Sequence, residues 1–232
     1  MTLRTLPLPF KILATCVLLT IGVGYLFALV YLYLMDLEPH AKHGVGLVQS
    51  VIVKYYGDRA GSALEAALEG SMGRQVTPIE KQQIIQWLRH GALEAEFVNV
   101  QPILKQSCAR CHRSESGSSI PPLTTYAEVS AYATMDVGQS IKSLARVSHI
   151  HLFGVSFLFA LTSLVFAFSE TSRVFRSVLI AMPFLAIWLD IGSWWITKFD
   201  PVFAYTVIGG GVLMGLSLAG QISIALYEMW VK

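Results

Sequence analysis

The 232-residue chain is 54% hydrophobic and 14% charged, a balance too apolar for an ordinary soluble fold and far from that of a disordered one. Its 17 basic and 15 acidic residues leave a net charge of +2, so there is no polybasic excess to draw nucleic acid or to anchor the chain on lipid charge. Three cysteines, Cys16, Cys108 and Cys111, are too few for a disulfide scaffold, and the close pair calls for a chemical reason.

A segment that crosses lipid must satisfy its own backbone, so it is a helix of roughly 20 apolar residues. In chain order, four runs meet that length: Ile12 to Leu34, Ile150 to Phe168, Val178 to Thr197 and Val202 to Tyr227. The expected fold class is therefore all-α, with four transmembrane helices and a small helical domain between the first and the second. Its boundaries fall at 1–34 for the N-terminus and anchor helix, 35–147 for the hydrophilic domain, and 148–232 for a three-helix membrane region.

The first run is too long for the apolar core of a cleaved signal and ends in Tyr31, Leu32, Tyr33 and Leu34 without a small-residue cleavage site, so it reads as an uncleaved signal anchor. Arg4, Lys11, Arg173, Arg176 and Lys232 fall at one set of span ends, against Lys198 at the other. That asymmetry puts both termini in the cytoplasm of a bacterial inner membrane and segment 35–147 in the periplasm. Trp194, Trp195 and Trp230 sit where an interfacial aromatic belt would place them.

Within the exported segment stands Cys108-Ala109-Arg110-Cys111-His112, the spacing of covalent haem c attachment. Two thiols on one helical turn add across the haem vinyl groups, and the following imidazole is brought under the iron. A redox dithiol or a zinc site would also use Cys-x-x-Cys. Export, and the absence of any second Cys pair, favour one haem c, held by Cys108, Cys111 and His112.

On these residues the segment from Leu64 to Val129 resembles a class I c-type cytochrome in an unusual chain order. Met72 in Gly70-Ser71-Met72-Gly73 precedes a helix opened by Thr77-Pro78-Ile79-Glu80, bearing Trp87 and stopped by Gly91; only then come Gln101-Pro102-Ile103-Leu104, the haem motif and Ile120-Pro121-Pro122-Leu123. Thr77, Pro78 and Glu80 form a capping box with proline at the first helical position. The order is that of a circular permutation. The resemblance implies His112 as fifth iron ligand, Met72 as sixth, and a carbonyl near Pro121 or Pro122 orienting the imidazole. Met135 is the alternative methionine, and His43 or His149 would give a bis-histidine haem instead.

In the membrane half, His149 and His151 open the second span and point to nearly opposite sides of a regular helix. Asp190 lies inside the third span, and an ionisable group there is a functional hypothesis by default. All three are candidates for proton handling, with interfacial or interhelical hydrogen bonding as the plainer role. Gly209, Gly210, Gly211, Gly215 and Gly220 permit close helix approach, either inside this bundle or against another subunit. Cys16 reads as an apolar packer.

The functional expectation is a membrane-anchored monohaem electron carrier, a subunit of a respiratory or photosynthetic complex rather than a stand-alone catalyst. Its partners would be membrane lipid and other electron-transport subunits or cytochromes. Two alternatives are a quinol-oxidising subunit with a site at the outer interface, and a haem-based sensor with an open sixth position.

Overall fold

The computed structural model describes residues 2–41, 45–113 and 120–232. Among these the chain is helical without a named strand. In order, the helices are α1 (Leu8–Leu32), α2 (Glu38–Ala41), α3 (Leu47–Tyr55), α4 (Ala63–Glu69), α5 (Pro78–Arg89), α6 (Phe97–Ile103), α7 (Tyr126–Ser130), α8 (Ile141–Phe166), α9 (Arg173–Thr197) and α10 (Ala204–Trp230). Two compact units result: one joins 1–32 to 144–232, the other is 33–143.

The first unit holds all or most of each helix long and apolar enough to cross a membrane. With the turns that extend them they run Leu8–Leu37, Ile141–Phe166, Arg173–Thr197 and Pro201–Trp230. α8 begins nine residues before the apolar run expected from Ile150, because Ser140 Oγ accepts the Ser143 N–H at 3.2 Å and starts the helix on a polar first turn.

Glycines set the packing of α10. A Cβ on Gly210 would stand 2.8 Å from Asp190 Cβ and 3.0 Å from its Cα; one on Gly215 would meet the Tyr25 hydroxyl at 3.0 Å, and one on Gly220 the Leu179 side chain at 3.3 Å. Their missing side chains are thus filled by α9 and α1. Gly209 and Gly211 have nothing within 4 Å of a built Cβ, so Gly211 of the Gly211-x-x-x-Gly215 spacing takes no part in this internal contact.

Polar side chains inside the unit are matched across helices. Pro183 lies within α9, has no N–H, and so releases the Leu179 carbonyl from its helical bond. Gln221, fully buried on α10, donates Nε2 to that carbonyl at 2.8 Å and accepts from Ser163 Oγ of α8 at 3.2 Å. At the end of the unit that gathers Arg4, Lys11 and Arg176, the buried Glu228 accepts Ser169 Oγ at 3.1 Å and the Glu170 N–H at 2.8 Å. Arg176 donates to the Ser169 carbonyl, and Lys11 Nζ to the Met229 carbonyl at 2.9 Å. Lys232 and Glu170 pair at 2.9 Å, which raises the lysine pKa and lowers that of the glutamate. Leu3, fully buried, ties the N-terminal turn to the same end through its N–H to the Phe168 carbonyl at 2.9 Å.

The second unit is built on short helices around Leu64, Leu68, Ile84, Trp87, Phe97, Val100, Leu104 and Val129. Phe97 lies between Trp87 and Tyr126, with ring centroids 5.7 and 5.6 Å away. α5 begins as the sequence predicts: the Thr77 hydroxyl accepts the Glu80 N–H while Glu80 accepts the Thr77 N–H at 2.8 Å. Gly91, at φ +90°, turns the chain out of it. Segments 57–64 and 132–138 are laced together, with Ser62 and Met135 forming an antiparallel bridge. The buried Asp136 carboxylate accepts the Asp58 N–H at 2.8 Å and the Gly138 N–H at 2.9 Å.

Candidate functional site

The Cys108 turn begins where α6 loosens. Leu104–Cys108 is a widened turn in which the Ala109 N–H reaches five residues back to the Leu104 carbonyl at 2.9 Å, the kind of helical irregularity that re-aims side chains at functional sites. The Cys108 carbonyl then accepts two N–H groups, from Cys111 at 3.1 Å and from His112 at 2.9 Å. Both sulfurs and the imidazole thereby belong to one turn. Cys108 packs half-buried against the core while Cys111 is exposed. Burial pushes the Cys108 thiol pKa up, and the Glu80 charge adds to it.

The imidazole of His112 is fixed by the loop that follows. Its Nδ1 donates to the Pro121 carbonyl at 2.7 Å, and the Leu123 N–H returns to the His112 carbonyl at 3.0 Å. A carbonyl only accepts, so Nδ1 carries the proton and Nε2 keeps its lone pair. The loop is held in turn by Glu128, whose Oε2 accepts the Thr124 hydroxyl at 2.7 Å and the N–H groups of Thr124 and Thr125 at 2.8 and 2.9 Å. The Thr124 hydroxyl, followed by those N–H groups, lowers the Glu128 pKa to about 2. Thr125-x-x-Glu128 is a capping-box pattern legible in the sequence, although its bearing on His112 is visible only in three dimensions.

This turn fits the chemistry of haem c attachment on its proximal side: two thiols on one turn and an imidazole with Nε2 available. An open hollow of about 500 Å3, lined by Lys105, Ala109, Arg110, Cys111 and Arg113, lies beside it. Met72 sits in a short turn, Ser71–Gln75, 39% exposed, and Met135 is 55% exposed in the laced segment. Arg74 beside Met72 is committed to Glu38 at 2.9 Å and to the Leu34 carbonyl at 2.9 Å. His43 lies outside the described residues.

In the membrane unit, His149 and His151 are both exposed on α8. Only the His151 ring meets α9, edge-on to Trp194 at 5.3 Å between centroids, while its Nδ1 donates to the Val147 carbonyl at 2.9 Å. Trp194 Nε1 donates to Asp190 Oδ1 at 3.1 Å. Asp190 is buried. The structure thus links His151 with Asp190 through Trp194, an intermediary that the sequence places only as an interfacial aromatic, and leaves His149 outside that chain.

Residues 116–232 match the Aq_1264_TM family, described as a transmembrane helical domain. The chain belongs to this family and is a multi-pass membrane protein whose long helices contact lipid. No curated protein and no solved structure matches it.

The resemblance of Leu64 to Val129 to a class I c-type cytochrome, and the permuted order drawn from it, is corrected by these findings. The family relationship is to a transmembrane helical domain rather than to a cytochrome. Among the described residues, no three His, Cys, Asp or Glu side chains converge as a metal-holding group. The physical reason is that the resemblance rested on short local signals. A capping box, a tryptophan and a proline loop build any small helical core, and they do so here around Trp87, Phe97 and Tyr126.

Proposed function

We propose that this chain is a membrane-bound one-electron carrier in which Cys108, Cys111 and His112 would hold a single haem c. The observation that carries this reading is the 2.7 Å bond from His112 Nδ1 to the Pro121 carbonyl, which commits one ring nitrogen and leaves the other for iron. The haem would supply reversible one-electron exchange.

The chain's own residues do the rest. Cys108 and Cys111 would hold the haem as thioethers, each S–H taken up whole by one vinyl group so that no outside oxidant is needed. The Pro121 carbonyl holds the imidazole tautomer, and the loop pinned by Glu128 holds that carbonyl. Arg4, Lys11, Arg173, Arg176 and Lys232 at one set of span ends support cytoplasmic termini, which would place residues 35–147 in the periplasm. Three spans beyond one anchor exceed what tethering needs, so the carrier works as a subunit beside other electron-transport proteins.

The test is a haem-stained denaturing gel of chain produced with an intact covalent-attachment system. The stain is expected to survive denaturation in the native chain and to vanish in Cys108→Ala/Cys111→Ala. Stain that is absent, or that leaves the chain on denaturation, contradicts the reading. Loss of the sulfur-to-iron absorption in Met72→Ala or in Met135→Ala identifies the methionine at the sixth position.

A further inference from the structure

α8 carries a stripe that differs from the rest of its lipid-facing surface. His151, Gly154, Leu158 and Leu161 follow one another at i, i+3, i+7 and i+10, so they lie on one face over roughly 15 Å of helix. The lower part of this stripe forms a groove of about 270 Å3 with α1, lined by Cys16, Val17, Thr20, Ile21, Leu158 and Leu161. Above it, a Cβ on Gly154 would meet nothing within 4 Å, so no neighbouring side chain covers α8 at the turn between Leu158 and His151.

At that upper end stands hydrogen-bonding chemistry that an acyl chain does not need. The His151 Nδ1–H is committed to the Val147 carbonyl at 2.9 Å, which makes Nε2 an acceptor. The ring is fixed against Trp194, which is itself fixed by Asp190. His151 lies five residues beyond Arg146, about 7.5 Å along the helix into the apolar part of the span. A phospholipid headgroup stays at the interface, and a charged ligand loses its hydration at this depth.

We propose that this α1–α8 groove binds a quinone-class ligand, with the isoprenoid or alkyl tail along Leu158 and Leu161 and the ring hydroxyl or carbonyl end at His151. In the hydroquinone form a ring hydroxyl donates to His151 Nε2. Binding is independent of haem attachment and goes beyond the electron-carrier reading, since a carrier fed by another protein needs no such groove.

The experiment uses full-length protein in nanodiscs, with saturable binding of decylubiquinol under anaerobic conditions and of n-decane as a tail without a head. His151→Phe keeps a ring against Trp194 and removes the acceptor; Leu158→Trp fills the groove. Native protein is expected to bind decylubiquinol saturably. His151→Phe should bind it roughly tenfold more weakly with decane retention unchanged, about the effect of one lost hydrogen bond. Leu158→Trp should lose both ligands while its helical content and melting profile stay native. Absence of saturable decylubiquinol binding, equal affinity in His151→Phe, or native affinity in a folded Leu158→Trp protein overturns the proposal.

Discussion

Gln221 donates its side-chain amide to the one carbonyl of α9, that of Leu179, which Pro183 deprives of its helical donor. The residues are 42 positions apart in sequence and bind α10 to α9 where no water is at hand. Replacing Gln221 by Leu would leave the Leu179 carbonyl bare and Ser163 without its acceptor, at a cost of about 1–3 kcal/mol. Pro183→Ala, which restores the N–H to α9, should recover part of that loss. Reversible unfolding of the single and double variants in mild detergent measures the coupling, and additive effects would show that the two residues do not share the carbonyl.

Gly210 and Gly209 are neighbours with opposite expectations. An added methyl at Gly210 meets the α9 backbone at Asp190, whereas at Gly209 it meets open space. Gly210→Ala should therefore destabilise the membrane unit by about 1–3 kcal/mol as the helices are forced apart. Gly209→Ala should be neutral or slightly stabilising through helix propensity. Thermal melting of the two variants side by side decides it.

Asp136 closes the 57–64 and 132–138 segments by accepting two backbone N–H groups. Gly57 and Gly138, at φ +92° and +70°, pass so close that a Cβ on either would lie within 2.5 Å of backbone oxygen. Asp136→Ala should cost about 1–3 kcal/mol through two orphaned donors. Gly57→Ala should be worse still, because it adds a clash to an unfavourable backbone region. Limited proteolysis between residues 57 and 64 in the full-length chain reports the opening.

Glu128 gives a pH dependence with a definite sign. Its folded pKa lies near 2, below the ordinary value of 4.5. The stability it adds is therefore fully present above about pH 4.5 and is lost as the pH falls through about 2. Glu128→Gln should remove this component, flattening the acid arm of an unfolding-versus-pH curve within that window. It should also loosen the loop that orders His112, shifting the imidazole resonances of His112 at neutral pH. An unchanged acid arm would assign the loop's order to other groups.

The long helices were legible because lipid imposes length and apolarity on a spanning segment: three of the four runs fall within helices long enough to cross, and the fourth, Ile150 to Phe168, outruns its helix by two residues at Phe166. The α5 cap and its stop at Gly91 were legible because capping chemistry is local. The bond between Gln221 and Leu179 was not, since Pro183 announces a vacant carbonyl without saying which distant side chain fills it. The order of elements around Met72 and Trp87 suggested a familiar fold from short signals, and the family relationship lies elsewhere. At the Cys108 turn, spacing named three residues, while the widened turn before it and the Glu128 tether after it follow from the folded backbone.

The most direct measurement is intact-mass spectrometry of the purified chain, with peptide mapping across residues 105–113, after production in cells that attach haem covalently. The chain should carry the mass of one haem, localised to the peptide with Cys108 and Cys111, and neither cysteine should react with a thiol reagent. An unmodified chain in which both cysteines take up the reagent would contradict the proposed electron carrier and leave a multi-pass helical membrane protein without that cofactor.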